Sequence, residues 1–364
     1  MAYSLADRAW PSALALPPRE KRDYAGVANH SSNELDHPHL ARLLAIWRER
    51  MSAKNVARYP SVERERADLA ARLSVSPERV AMSAGSDAAI LHVILAFCGQ
   101  SGTIILDSPN YPAYERYATA LGVKVTRVPY DRQVGRTVDA LVSACASATV
   151  ARGTVVLTNP HPLTGEVLSI EAVWRLASAC EKHGHLLVVD ETYGAVADVG
   201  HEPMSRQFRN VLVVRSFSKS LGMAGLRAAV AIGDEASIRY LRVFGVENSV
   251  SSAALEYVKT CFDNESLVDS MLRDVRALRD EVAALFRQAR PEWWIPASLA
   301  NFVLVDPHDS VVRDRMLARL REEKIVVRSL ANEQGFRSAA RLAVGSAEST
   351  RLAVKTILAS SEAS

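Results

Sequence analysis

Four side chains able to do chemistry stand close together in Ser216-Phe217-Ser218-Lys219-Ser220-Leu221-Gly222-Met223-Ala224-Gly225-Leu226-Arg227. The Lys219 amine can condense with an aldehyde to form a Schiff base. The hydroxyls of Ser216 and Ser218 and the guanidinium of Arg227 can hold a phosphate beside it. One cofactor carries both an aldehyde and a phosphate: pyridoxal phosphate. Taken alone, the stretch could also be a solvated lysine on a serine-rich turn.

The rest of the chain supplies what that cofactor needs. A pyridine nitrogen that must stay protonated calls for a carboxylate, and Asp190 ends the apolar run Val188-Val189-Asp190. A carboxylate at that depth needs a cationic partner, unless it simply caps the helix that follows. Tyr193, three residues on, can reach a phenolic oxygen, or it is a core tyrosine. Ala84-Gly85-Ser86-Asp87 opens a helix whose N–H groups suit a phosphate dianion, although Gly-Ser-Asp is also a common helix cap. Tyr111, in Asn110-Tyr111-Pro112, offers a ring to stack on the cofactor, or is a turn aromatic. Arg341, in Ala339-Ala340-Arg341-Leu342, can clamp a substrate carboxylate through two parallel hydrogen bonds. Its bland alternative is a surface arginine at a strand edge.

These residues require elements to position them. Short apolar runs read as strands: Val80–Ser83, Thr103–Leu106, Val123–Val128, Thr154–Leu157, Leu186–Val189, Val211–Arg215 and Ala228–Ile232. Helical stretches alternate with them, over Ala88–Cys98, Tyr114–Leu121 and Ile170–His183. That alternation predicts an α/β fold, a mostly parallel sheet with helices on both faces. The polar residues of interest fall at strand C-terminal ends, where such sheets bind ligands. Beyond Val250 the pattern changes to one long helix from Ser251 to Arg290, then a smaller α+β unit. Its strands are expected at Phe302–Val305, Ile325–Arg328 and Leu342–Val344, its helices at Val311–Glu323 and Glu348–Ala359.

Composition narrows the class. The 364 residues are too many for one small domain, and 48% hydrophobic with 23% charged is ordinary for a soluble protein. A net charge of +3 is too small to argue for nucleic acid or an anionic membrane as partner. No stretch approaches the roughly 18 uncharged apolar residues of a membrane span, and Met1 to Arg8 has no apolar signal core. Cys98, Cys145, Cys180 and Cys261 make no metal-spacing motif, so no metal is expected. They read as buried free thiols of a reducing, cytoplasmic compartment.

Taken in order, these segments resemble the fold-type I pyridoxal-phosphate enzymes, in particular the class I/II aminotransferases and their histidinol-phosphate aminotransferase-like branch. The resemblance runs from about Ala28 to the C-terminus. It implies a large domain, residues 46–249, with a mostly parallel seven-stranded sheet. It also implies a small α+β domain from residues 1–45 and 250–364. Gly85, Ser86, Asp87, Tyr111, Asp190, Tyr193, Ser216, Ser218, Lys219 and Arg227 match its cofactor-binding positions, and Arg341 its carboxylate arginine. Ser31-Ser32-Asn33-Glu34 resembles the segment that lines the substrate pocket, with Asn33 and Arg328 as further substrate-binding candidates. Arg58-Tyr59-Pro60 resembles the motif whose tyrosine reaches the phosphate of the neighbouring subunit, which implies a homodimer with shared sites. Catalysis would rest on Lys219, Asp190 and Tyr193.

One stretch departs from the pattern. Where the family has Asn-Pro-X-Asn-Pro-Thr-Gly, this chain has Asn159-Pro160-His161-Pro162-Leu163-Thr164-Gly165. Pro162 replaces the asparagine that hydrogen-bonds the cofactor's phenolic oxygen, and proline has no side-chain donor. The oxygen would then depend on Tyr193, or on His161 if that ring turns inward; His161 is otherwise a loop histidine. The implied reaction is transamination of an amino acid. The alternatives on the same fold are a lyase acting by β-elimination, a decarboxylase or oxidative deaminase, and a catalytically inactive binding protein.

Overall fold

The computed structural model describes residues 16, 24–99, 102–147 and 152–361. Met1 to Arg8, read above as lacking a signal core, lie outside the described residues. Strands β2 (Val80–Ser83), β3 (Thr103–Ser108), β4 (Lys124–Pro129), β5 (Gly153–Thr158), β6 (Leu186–Asp190), β7 (Val211–Ser216) and β8 (Ala229–Ile232) form one sheet in the order β2-β8-β7-β6-β5-β3-β4. Only β8 runs against its neighbours. The expected mostly parallel seven-stranded sheet is therefore present.

Its inner strands are apolar on both faces because helices cover both, whereas the edge strand β4 is not buried on either. Val155, Leu157, Leu187, Val189, Val211 and Val213 enter one core. Their alternating neighbours Val156, Val188, Leu212 and Val214 enter a second core on the other side, as a period of two dictates. The helix Ile170–Lys182 shows the complementary pattern, burying Val173, Leu176, Ala177 and Cys180, with the Ser169 side chain capping its start.

A second sheet has the order β1-β10-β11-β9, from β1 (Ala28–His30), β9 (Phe302–Val305), β10 (Ile325–Ser329) and β11 (Ala340–Ala343). The three-residue β1 pairs in parallel with β10, which ties the N-terminal segment to the C-terminal unit. From β1 the chain runs directly into residues 31–34 and then the helix Pro38–Arg50.

Three local expectations change. The single helix over Ser251–Arg290 is two, Ser252–Asp263 and Glu265–Ala289, meeting at Asn264. The Asn264 side chain donates to the carbonyl of Thr260 in the helix it ends; such competition with the helix ladder is why asparagine breaks helices. The helix expected over Ala88–Cys98 starts at Ser86 and widens into a π turn over Ile94–Cys98. Arg341 lies inside β11 rather than ahead of a strand. The four cysteines are free and buried, and Cys145 and Cys180, distant in sequence, come within 3.8 Å of each other. No helix among the described residues is long and apolar enough to cross a membrane.

Candidate active site

The C-terminal ends of β6 and β7 bring Asp190 and Ser216 to one edge of the sheet, and the turn after β7 carries Lys219. The Lys219 amine donates to the carbonyl of Ser32 at 2.6 Å, so the N-terminal segment closes over it. Burial lowers its pKa to about 8; Glu34 and Asp87 oppose that shift, while Arg341 and Arg227 reinforce it. A lysine so depressed has a sizeable neutral fraction near pH 7 to 8, as a nucleophile or proton carrier requires.

Asp190 is buried and held on both oxygens. Oδ1 accepts from the Thr192 N–H at 2.9 Å and its hydroxyl at 2.6 Å. Oδ2 accepts from the Tyr114 hydroxyl at 3.0 Å. Burial pushes its pKa up, and the hydrogen bonds from Thr192 and Tyr114 work against that. Among the described residues no cationic side chain pairs with it. Tyr114 was missed in the sequence; it lies in the helix Pro112–Ala120, whose N-cap is Tyr111. Its one advance signal was the spacing of three from Tyr111, one helical turn.

The phosphate-binding candidates converge. Gly85 caps the helix Ser86–Val93 with φ 84 and ψ 168, a conformation nearly confined to glycine. A Cβ there would stand 2.5 Å from the Arg227 Nη2, so glycine also makes room for the guanidinium. Arg227 Nη2 lies 3.9 Å from Asp87 Oδ2, and the Tyr111 hydroxyl donates to Asp87 Oδ1 at 2.7 Å. Ser216 accepts the Ser218 N–H at 3.3 Å. The Ser218 hydroxyl is buried and lacks a hydrogen-bond partner, as expected of a donor waiting for a ligand oxygen.

Tyr193 is buried and takes a hydrogen bond on its oxygen from Asn33 Nδ2 at 2.8 Å. Phe302 stands edge-on to it at 5.4 Å, and the Arg341 guanidinium lies over the Phe302 ring at 5.0 Å. Arg341 is fixed by two backbone carbonyls, Pro162 at 2.6 Å and Ser31 at 3.2 Å. Arg328 is its register partner on β10, so both arginines face the same side of the sheet. Glu333 lies 4.0 Å from Arg328.

Three further candidates surround this group or stand apart from it. His161 does not turn inward as a donor. Its Nδ1 is engaged by Thr164 at 3.0 Å and its Nε2 by the Pro109 carbonyl at 3.0 Å. Burial and Arg136 keep its pKa well below the usual histidine range. Asn33, a substrate-binding candidate, donates from Nδ2 to Tyr193, and its buried Oδ1 has no hydrogen-bond partner. Tyr59, expected to serve a neighbouring subunit, is 86% exposed and does not join the other residues within its own chain.

A lysine, a buried aspartate and a candidate phosphate cradle at the mouth of a doubly wound sheet are the parts a pyridoxal-phosphate site needs, and the residues present fit the cofactor. The unpartnered Ser218 hydroxyl, the space kept by Gly85 and the uncompensated Asp190 are each what its phosphate and ring nitrogen would complete. The model of the family described as aminotransferase class I and II matches residues 26–357. The chain belongs to that family and is a pyridoxal-phosphate-dependent aminotransferase. It is 30% identical to the histidinol-phosphate aminotransferase of Haloferax volcanii over 339 residues, 90% of this chain and 88% of that one. It is 27% identical to that of Thermoanaerobacter pseudethanolicus over 343 residues, 92% and 91% of the two chains. The fold superposes with a TM-score of 0.84 on the crystal structure of histidinol-phosphate aminotransferase from Sinorhizobium meliloti in complex with pyridoxal-5'-phosphate, at 18% identity over 97% of each chain.

Proposed function

We propose that this aminotransferase acts on an amine whose anionic group is received by Arg341, with Arg328 beside it. The observation that carries this is the register pairing of the two arginines on adjacent strands. Paired guanidiniums on one face suit a carboxylate or a phosphate monoester, and the relatives named above are histidinol-phosphate aminotransferases. When bound, the cofactor acts as an electron sink for the pair released at the substrate's α-carbon. Asp190, held by Tyr114 and Thr192, would keep the ring nitrogen's proton in place. Ser216, Ser218, Arg227 and the Gly85-Ser86-Asp87 turn would hold the phosphate, and Tyr111 would offer its ring for stacking on the cofactor. Lys219, a base with a pKa of about 8, would carry the proton at the reacting carbon.

Tyr59 supports a homodimer with shared sites, since a tyrosine so exposed is free to serve a neighbouring chain. We assign residues 46–249 to the cofactor-binding domain and residues 1–45 and 250–364 to the smaller one. Four buried free thiols fit a cytoplasmic protein. The test incubates the loaded protein with histidinol phosphate and with a panel of amino acids, and follows the cofactor's absorbance and the product. Conversion of the cofactor to its amine form with release of a carbonyl product is expected. Release of CO2 or of a β-substituent with the cofactor unchanged would overturn transamination, and a monomer by light scattering would overturn the shared site.

A further inference from the structure

Tyr193 has one proton and an oxygen already engaged. That oxygen accepts from Asn33 Nδ2 at 2.8 Å. Among the described residues nothing accepts the proton in turn, although the side chain is 7% exposed. The proton is therefore held for something outside the chain. Accepting a hydrogen bond also makes a hydroxyl a stronger donor, because linked hydrogen bonds polarise one another. Asn33 is itself built in. Its backbone takes the left-handed conformation, φ 53, which asparagine tolerates better than most residues. Its carbonyl accepts from the buried Asn301 at 3.0 Å. On the other side, Pro162 has no side-chain donor, and its carbonyl is committed to Arg341.

We propose that Asn33 is a positioning residue that turns the Tyr193 hydroxyl proton onto the cofactor's phenolic oxygen, so that one strengthened donor serves where Pro162 supplies none. This rests on the placement of Tyr193 at that oxygen. Asn33 acts through Tyr193 and need not touch substrate. Burial raises the Tyr193 pKa, while Arg341 and the Asn33 hydrogen bond lower it. Asn33 thus pushes the phenol toward being the better donor.

The test is a spectroscopic pH titration of the loaded protein, following the midpoint of the cofactor's visible band change. The variants are Tyr193→Phe, Asn33→Gly and their combination, with KM measured alongside. Glycine keeps the left-handed backbone while deleting the side chain. A donor to the phenolic oxygen favours its ionised form, so losing donor strength raises the midpoint. Tyr193→Phe should raise it, and Asn33→Gly should raise it by about 0.5–1 pH unit, the scale of one hydrogen bond. In the Tyr193→Phe background Asn33→Gly should add nothing. Asn33→Asp, whose carboxylate would draw the phenol proton to itself, should behave like Tyr193→Phe.

An unchanged midpoint in Tyr193→Phe would overturn the placement of Tyr193 itself. A midpoint that moves in Tyr193→Phe but not in Asn33→Gly would overturn the role of Asn33. So would a KM increase of equal size for Asn33→Gly in both backgrounds, which marks a substrate contact. A wild-type midpoint in Asn33→Asp would mean that the side-chain oxygen, not the N–H, faces Tyr193, and would overturn the relay.

Discussion

Gly85→Ala tests the phosphate cradle through a single methyl group. At φ 84 and ψ 168, a residue with a Cβ carries a strain of about 1–3 kcal/mol. The new Cβ would also sit 2.5 Å from Arg227 Nη2 and 2.8 Å from its Cζ, inside any van der Waals contact. The Arg227 side chain is 44% exposed, so its end can swing out and the clash adds little to the strain. The swing has a consequence for binding, because it takes the guanidinium away from the phosphate. A charge-assisted contact of that kind is worth about 1.5–3 kcal/mol, or a cofactor Kd raised roughly 10- to 150-fold. Stability to urea and cofactor affinity should therefore both fall, for separable reasons. Fluorescence or absorbance titration of cofactor-free protein gives the Kd, and a urea titration gives the stability. In an Arg227→Ala background, Gly85→Ala should still destabilise but should weaken the cofactor little further. If Gly85→Ala binds the cofactor like the wild type, Arg227 is not in the cradle. If it keeps full stability, the backbone conformation at Gly85 is not the one described.

Uptake of the cofactor aldehyde by cofactor-free protein should speed up with pH and level off above about 8, because only the neutral Lys219 amine reacts; a midpoint near that of an ordinary lysine would refute the depressed pKa. Arg341→Lys keeps the charge but loses the two-pronged geometry, so KM should rise at least ~30-fold, on a scale of about 2–5 kcal/mol for a desolvated charge pair, with the cofactor spectrum unchanged. A wild-type KM would move the anion to Arg328. Tyr114→Phe removes a hydrogen bond that opposes the burial-raised pKa of Asp190, so the acid limb of the kcat profile should move to higher pH. An unmoved limb would mean that Thr192 alone keeps Asp190 ionised.

What could be read in the sequence and what could not divide along a physical line. The inner strands of the large sheet were legible because they are buried on both faces and so are written as apolar runs, as in Val211–Val214. Lys219, Asp190, Gly85 and Arg227 were legible because each answers to a charge or shape that its own residue type announces. The failures lie one contact further out. Strand β1 is three residues long, and its partner β10 is nearly 300 residues away in sequence, so no local pattern marks it. The break at Asn264 needed only one residue, and its effect on a helix depends on where its side chain finds an acceptor.

The same distance explains why the hydrogen-bond partners of His161, Pro162 and Asn33 were not legible in the sequence. Local reasoning could say that proline deletes a donor at position 162. It could not say that the proline carbonyl would be taken by Arg341, 179 positions away. Nor could it say that His161 would be locked between Thr164 and the Pro109 carbonyl, with neither ring nitrogen left over. The hydrogen-bond capacity of a group is fixed by its chemistry, but its allocation is a property of the fold, because each acceptor used by one donor is lost to the next. Once those acceptors are counted, the lost donor at Pro162 is no longer an isolated defect. With the His161 nitrogens spent and the Pro162 carbonyl committed, Tyr193 is left carrying a proton with no acceptor among the described residues. Asn33 is in place to direct it.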